Sequence, residues 1–273
     1  MNDQINNNEL VNLSKEVRKD ILKMVHASKA SHVGSAFSTV EVLVVLYKLI
    51  LKISPKSSTD KDRDRFLLSK GHACTALYAI LAELGFYEKK LLDDYSKDGS
   101  IFMSHINSEV PGVEFSTGSL GHALPVGVGV ALAAKKRKKA YKTYVLMSDG
   151  ELNEGSNWEA FMMAAHLKLD NLVAIIDANK IQALGFTKDI LSLEPIEDKL
   201  SSFGWDVIRT DGHNYEQIYS SLTSLTLESN GKPKVLIADT VKGKGVSFME
   251  GELKWHYSSP NDEEYDLAVE ELS

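Results

Sequence analysis

The chain has 273 residues, 43% of them hydrophobic and 25% charged, and a formal net charge of −7. That length suits one large α/β domain or two small ones, and the acidic balance argues against nucleic acid, whose phosphates call for a basic face. The only cysteine, Cys74, excludes an intrachain disulfide and a cysteine-built zinc site and fits a reducing cytoplasm.

Residues 1–9 are polar, carry no apolar signal core and read as a flexible tail. Apolar residues at Leu10, Leu13, Val17, Ile21, Met24 and Val25 predict a helix from Leu10 to Lys29. A small-residue loop with His32 follows, then an apolar helix over 40–51 with Ser38 or Thr39 as its cap. With Glu41 and Lys48 inside it, that stretch is too short and too charged to span a bilayer. Residues 54–64 read as a surface loop and 65–69 as a strand, with a helix from Cys74 to Leu84 stopped by Gly85. A helical fragment at 91–95 leads into a long irregular segment, residues 99–121, holding His105, Gly118 and Gly121. Loops of that length in a domain are usually functional or disordered, and its aromatic and small residues favour function.

A helix over 123–139 contains Gly127 and Gly129, whose cost in helix propensity asks for close packing in return. The basic run at 135–139 reads as a solvated helix end favoured by the dipole. Further on come a helix at 196–203, a strand at 205–209, a helix at 215–227, a strand at 234–240 and a loop with Trp255 and His256. Strands alternating with helices imply one doubly wound, mostly parallel sheet flanked by helices, with no linker or repeat to divide residues 1–273.

The stretch from Thr143 to Lys180 is the centre of this pattern. One apolar strand ends at Ser148-Asp149-Gly150, a helix begins near 153–156, and a second strand, residues 173–176, runs out at Asp177-Ala178-Asn179. Trp158 and Phe161, at helical spacing with Met162 and Ala165, read as core. Asp149 and Asn179 lie 30 residues apart, about one βαβ unit, past the carboxyl ends of two strands, where open parallel sheets bind ligands. A carboxylate and an amide oxygen suit Mg2+ or Ca2+ with phosphate and water completing the shell. Gly150 would admit a phosphate close to the backbone, and the following helix N-terminus favours anions. Taken singly, Asp149 also reads as an ordinary N-cap and Asn179 as an ordinary turn residue.

Asp149-Gly150 with Asn179 resembles the thiamine-diphosphate motif, and the wording of residues 148–180 is similar to transketolase. So are LLSKGHA (67–73), PGVEFSTGSLGHAL (111–124) and SHVGSAFS (31–38), all in the family's order over nearly the whole chain. Transketolases are more than twice as long, so the chain resembles the N-terminal subunit of a split transketolase. The resemblance implies a thiamine-diphosphate-binding fold with thiamine diphosphate and Mg2+ (Ca2+ or Mn2+ able to substitute). It implies ketol transfer between sugars or sugar phosphates, as in the pentose phosphate reactions. It also implies a dimer of heterodimers with a C-terminal partner subunit, in the cytoplasm, with no nucleic acid and no membrane. Asp149 and Asn179 would ligate the metal by side chain and Ile181 by its carbonyl. His72, Gly118, Leu120, Asp149, Gly150 and Asn179 would contact the cofactor, with a backbone N–H from Gly150 to the diphosphate. His32, His105 and His256 would line the substrate channel, His72 would stand near the diphosphate and the reacting centre, and Glu154 would sit where two subunits meet. The other histidines, His26, His122, His166 and His213, read as structural or surface residues. Ser148, Val33 and Ala36 depart from the family pattern, which has glycine at the first and prolines at the other two. Two alternatives are the α-subunit of a 2-oxoacid dehydrogenase and a non-catalytic partner of the same fold. The transketolase-like histidine loops disfavour the former and the intact Asp149, Asn179 and His72 the latter.

Overall fold

The structure, a computed structural model, describes residues 6–227 and 229–273. The first helix, α1 (Asn7–Ser28), is capped by Asn6, whose side chain accepts from the Glu9 N–H. Residues 7–9 are therefore helical rather than tail, and residues 1–5 lie outside the described residues. Next come α2 (Val33–Phe37) and α3 (Val40–Val45), the latter running into a π-turn, Leu46–Ile50. Neither Ser38 nor Thr39 caps α3: the Ser38 hydroxyl donates to Asp177 and the Thr39 hydroxyl to the Ala36 carbonyl.

Strand β1 (Arg65–Leu68) is followed by α4 (Cys74–Glu83), the long loop and α5 (Ala123–Lys136). The basic run then leaves the helix, with Lys139 paired to Asp62 at 2.7 Å. β2 (Thr143–Ser148), α6 (Gly155–His166) and β3 (Leu172–Ala178) form the central βαβ unit. After it come a short hairpin, β4 (Ile181–Gln182) with β5 (Gly185–Phe186), then α7 (Thr187–Ile190) and α8 (Ile196–Ser202). β6 (Asp206–Asp211), α9 (Tyr215–Leu227), β7 (Lys234–Asp239) and α10 (Asp262–Glu271) complete the chain. The hairpin and α7 are too short to show a period, and α10 is an unexpected element, although Asn261 and Glu264 form a capping box at its start.

The sheet is parallel throughout, in the order β1-β2-β3-β7-β6. Its central strands are buried on both faces, as parallel strands under crossover helices must be. Alternate residues divide cleanly between two cores. Tyr144, Leu146, Val173, Ile175 and Leu236 face α1, α3, α4 and α9, while Val145, Met147, Ala174, Ile176 and Val235 face α5, α6 and α8. A large apolar side chain buried in this way contributes about 1.5–3 kcal/mol relative to exposure. The two-residue period fixes the register, since a slip by one would exchange the cores. In that register Ser148 stands beside Asp177 and Ala178 beside Asp239, so the chain leaves β2, β3 and β7 at one sheet edge.

Candidate functional site

At that edge, Asp149 and Asn179 sit in the first turn beyond β2 and β3, both buried. The Asp149 carboxylate accepts from the Gly150 N–H at 2.7 Å and from the Lys180 N–H, while Asn179 Oδ1 accepts from the Ile181 N–H at 3.1 Å. The Asn179 amide donates at 2.8 Å to Asp177, which fixes which way its oxygen points. Asp177 is wholly buried and paired with the equally buried Lys70, with Ser38 and Thr240 hydroxyls donating to it. Burial works against this carboxylate, but the Lys70 ammonium and these hydrogen bonds hold it below its ordinary value.

Asp149 has no such cation. Burial, and then the Asp177 charge, push it up to about 7. The positive charge that acts on it is the buried Lys242, from the loop after β7. Its Nζ donates to the Ile181 carbonyl at 3.2 Å and to His256 Nδ1 at 2.7 Å. Burial, and then Lys70, lower this ammonium to about 8, against the pull of Asp149 and Asp177. A buried carboxylate short of positive charge, an amide oxygen and a carbonyl already drawing an ammonium form a donor set that fits a hard divalent cation. Carboxylate, amide and carbonyl oxygens each keep acceptor capacity beyond the one hydrogen bond they show. Among the described residues no cluster of three His, Cys, Asp or Glu could hold a metal ion. The Gly150 N–H, expected to face a diphosphate, donates instead to Asp149.

All four candidate histidines meet above this edge. The His32 ring lies 4.9 Å from that of His72, 5.1 Å from His256 and 6.3 Å from His105, centre to centre. His32 takes a left-handed backbone, φ 73°, which costs a non-glycine residue roughly 1–2 kcal/mol. Its N–H donates to the His256 carbonyl at 3.0 Å, so two loops distant in sequence are pinned together. Burial, then His105 and Lys242, lower His32 to about 4; burial, then Lys242 and His32, lower His256 to about 3. Burial also takes His72 well below the ordinary histidine value. These three rings are neutral near pH 7. Lys242 donates to His256 Nδ1, so the ring proton of His256 is on Nε2. His32 Nδ1 is buried without a partner, a polar atom left for a ligand.

One cavity of about 260 Å3 is lined by His32, His72, His105, His256, Gly118, Leu120, Asp149, Gly150, Asn179 and Ile181 together. Glu154 stands at its rim and is exposed. Every candidate site residue of the sequence thus faces one space. Lys70, Lys242 and Asp177 escape a reading of the sequence, because nothing in one dimension distinguishes a buried lysine from a surface one. The available signal is position: Lys70-Gly71 and Lys242-Gly243 both follow strand ends. His213 is also more than a bystander: its ring joins Glu41, at 3.0 Å, to the Val241 N–H, at 2.8 Å, beside Lys242. Phe161 is fully buried against Trp205, and Trp158 packs on Phe161 and Phe203, away from the cavity.

The sequence profile of the transketolase, thiamine diphosphate binding domain, matches residues 8–272. One subunit of the apulose-4-phosphate transketolase of Phocaeicola vulgatus is 47% identical over 95% of this chain and 92% of its own length. A 6-deoxy-6-sulfo-D-fructose transketolase subunit of a Clostridium species is 40% identical over 94% and 92%. Among solved structures, the transketolase of Campylobacter jejuni superposes on 100% of the chain with a TM-score of 0.90 and 32% identity. That of Leishmania mexicana gives 0.89 and 29% over 96% of the chain. The chain spans only 43% and 41% of those two proteins.

Proposed function

The chain belongs to the transketolases, as their thiamine diphosphate-binding domain, and from that premise we propose that it is the N-terminal subunit of a two-chain transketolase. One domain, residues 1–273, holds the metal and diphosphate half of the site, and a cytoplasmic partner subunit supplies the rest. The carrying observation is the single cavity on which the metal-ligand set, the cofactor contacts and four histidines converge. It lies in a chain that matches proteins named as transketolase subunits over most of their length but less than half of the Campylobacter jejuni transketolase chain.

Bound thiamine diphosphate supplies the carbon nucleophile and electron sink of two-carbon ketol transfer. The protein's part is to bind, orient and move protons. Asp149, Asn179 and the Ile181 carbonyl hold Mg2+, which neutralises the diphosphate. Lys242 and Lys70 add positive charge at the same edge. His32, His72, His105 and His256 bracket the sugar; as a neutral imidazole with a free ring nitrogen, His32 can both accept from and donate to hydroxyls. With Nδ1 occupied by Lys242, His256 presents Nε2–H as a donor.

The two relatives are named for a ketose phosphate and a sulfonated ketose, so the donor proposed here is a ketose ending in an anionic group. The test is ketol transfer by the chain co-purified with a second chain resembling the remaining transketolase domains, over a panel of phosphorylated and sulfonated ketoses. Turnover appears only with both chains, Mg2+ and thiamine diphosphate, and Asp149→Ala abolishes it. A normal rate from this chain alone would overturn the two-chain reading.

A further inference from the structure

The cavity is walled by segments that come from separate parts of the chain, and three of them end on one carboxylate. Glu151, in the turn just after Asp149-Gly150, is fully buried. Its Oε1 accepts from the Ser69 hydroxyl and, at 2.9 Å, from the Gly121 N–H; its Oε2 accepts from the Ser148 N–H at 3.2 Å. Ser69 ends β1 and leads directly into Lys70-Gly71-His72. Gly121 closes the long loop that carries His105, Gly118 and Leu120. Ser148 is the last residue of β2, next to Asp149.

The surroundings show that this meeting is built. Gly121 has φ +83° and no room for a side chain, since a Cβ would lie 2.6 Å from both Glu154 Cβ and Ser156 Oγ. Its carbonyl accepts from Ser156 Oγ at 2.7 Å, so both faces of that one residue are gripped from the segment after Asp149. Glu151 is gripped too: its own carbonyl accepts from the Asn157 amide at 2.7 Å. Among the described residues Glu151 has no lysine or arginine partner within ion-pair distance, so its three acceptances are what hold it. A carboxylate is the side chain that offers acceptor sites to three donors and donates nothing back.

We propose that Glu151 is a positioning residue that sets the mutual register of the β1 end, the 99–121 loop and the β2 end, so that His72, His105 and Asp149 are in place before cofactor arrives. This rests on the transketolase reading only for the identity of the cofactor; the register itself is a property of the chain alone.

The experiment compares the wild-type full chain with Glu151→Gln and Glu151→Ala. Hydrogen exchange of the ligand-free chain is followed by mass spectrometry, and thiamine diphosphate saturation is measured in the two-chain enzyme. In Glu151→Ala, peptides covering 69–72 and 117–121 exchange about 10-fold or more faster, while those of β6 and β7 do not change. In Glu151→Gln the side-chain amide opposes the Ser148 N–H, so the increase is centred on 148–150 and is smaller. Both variants raise the concentration of thiamine diphosphate needed for half-maximal rate, by about 10-fold for alanine, with kcat at saturation within about twofold of wild type. A structural role without positioning would speed exchange everywhere or lower kcat and cofactor affinity together, and either result overturns the proposal. So does unchanged exchange at 69–72 and 117–121. If Glu151→Ala does not fold, the glutamine variant decides: faster exchange centred on 148–150 with β6 and β7 unchanged supports the proposal, and unchanged exchange at 148–150 or faster exchange everywhere overturns it. An inactive wild-type pair would count against the transketolase reading, while the exchange data would still judge Glu151.

Discussion

Lys242 is the residue on which the electrostatics of the site turn. Its ammonium touches the Ile181 carbonyl on one side and His256 on the other, and it lowers both His256 and His32 after burial has done so. Lys242→Met keeps the bulk of this buried side chain and removes its charge. Both histidines then titrate at higher pH, His256 more than His32, because Lys242 stands directly behind burial among the causes for His256 and third for His32. Neither reaches the ordinary value of 6.5, since burial remains. Ring-proton chemical shifts followed from about pH 3 to 8 check this, and an unmoved His256 titration would show that the cation is screened from it. This residue was invisible in the sequence for the reason that made the histidines visible. Histidines in glycine-rich loops at strand ends invite a chemical reading, whereas one lysine among 31 Lys and Arg does not. Burial, the property that makes Lys242 and Lys70 functional candidates, is a tertiary fact.

At the scale of elements, the strands were legible because a parallel strand buried on both faces is a short apolar run bounded by turn residues, as at 143–148 and 234–239. What was not legible had either too few residues to show a period, as in the β4–β5 hairpin, or a cap drawn away by a distant partner. Ser38 is an example, since its hydroxyl is spent on Asp177, 139 positions along the chain. The two glycines of α5 separate these cases. Both were expected to mark close packing. Gly127 does: a Cβ there would lie 2.6 Å from Val145 Cγ2, so the helix rides directly on β2. Gly129 has nothing within 4 Å of its would-be Cβ. Gly127→Ala therefore pushes α5 off the sheet and costs about 1–3 kcal/mol, while Gly129→Ala in the isolated chain gains up to about 1 kcal/mol from helix propensity. Urea unfolding of both variants measures the pair, and equal effects would contradict the packing difference.

For the whole molecule, the site is a place where the fold forgoes stability. His32 holds a left-handed backbone, and three neutral histidines crowd together beside two lysines. In the unfolded chain these histidines bind protons with a pKa near 6.5, and in the folded chain only at about 4 for His32 and about 3 for His256, with His72 also well lowered. Between those limits the unfolded state holds more of these protons than the folded one, so their contribution to stability rises with pH across that window and falls as the solution is acidified. Asp149, raised to about 7, works in the opposite sense, since the folded chain keeps its proton longer. Burial also raises Asp20, to about 7, and Glu151, and both add to Asp149 on the opposing side, so the histidine share is read from a histidine variant rather than from the net slope. Asp177, held below its ordinary value, adds loss on acidification at lower pH still. The histidine contribution to stability should thus fall from about pH 6.5 to 4. A series of thermal unfolding midpoints over that range checks the slope. Replacing His72 by Asn removes one of the titrating groups and should make the slope shallower by its share. A slope unchanged in His72→Asn would mean that the acid sensitivity lies elsewhere. Thiamine diphosphate with Mg2+ is expected to bind only the folded chain, so at about 100 times its dissociation constant it should add about 2.7 kcal/mol at neutral pH. That gain should shrink toward about pH 5, where protons compete with the metal for Asp149, and the same melting series with and without ligand measures it.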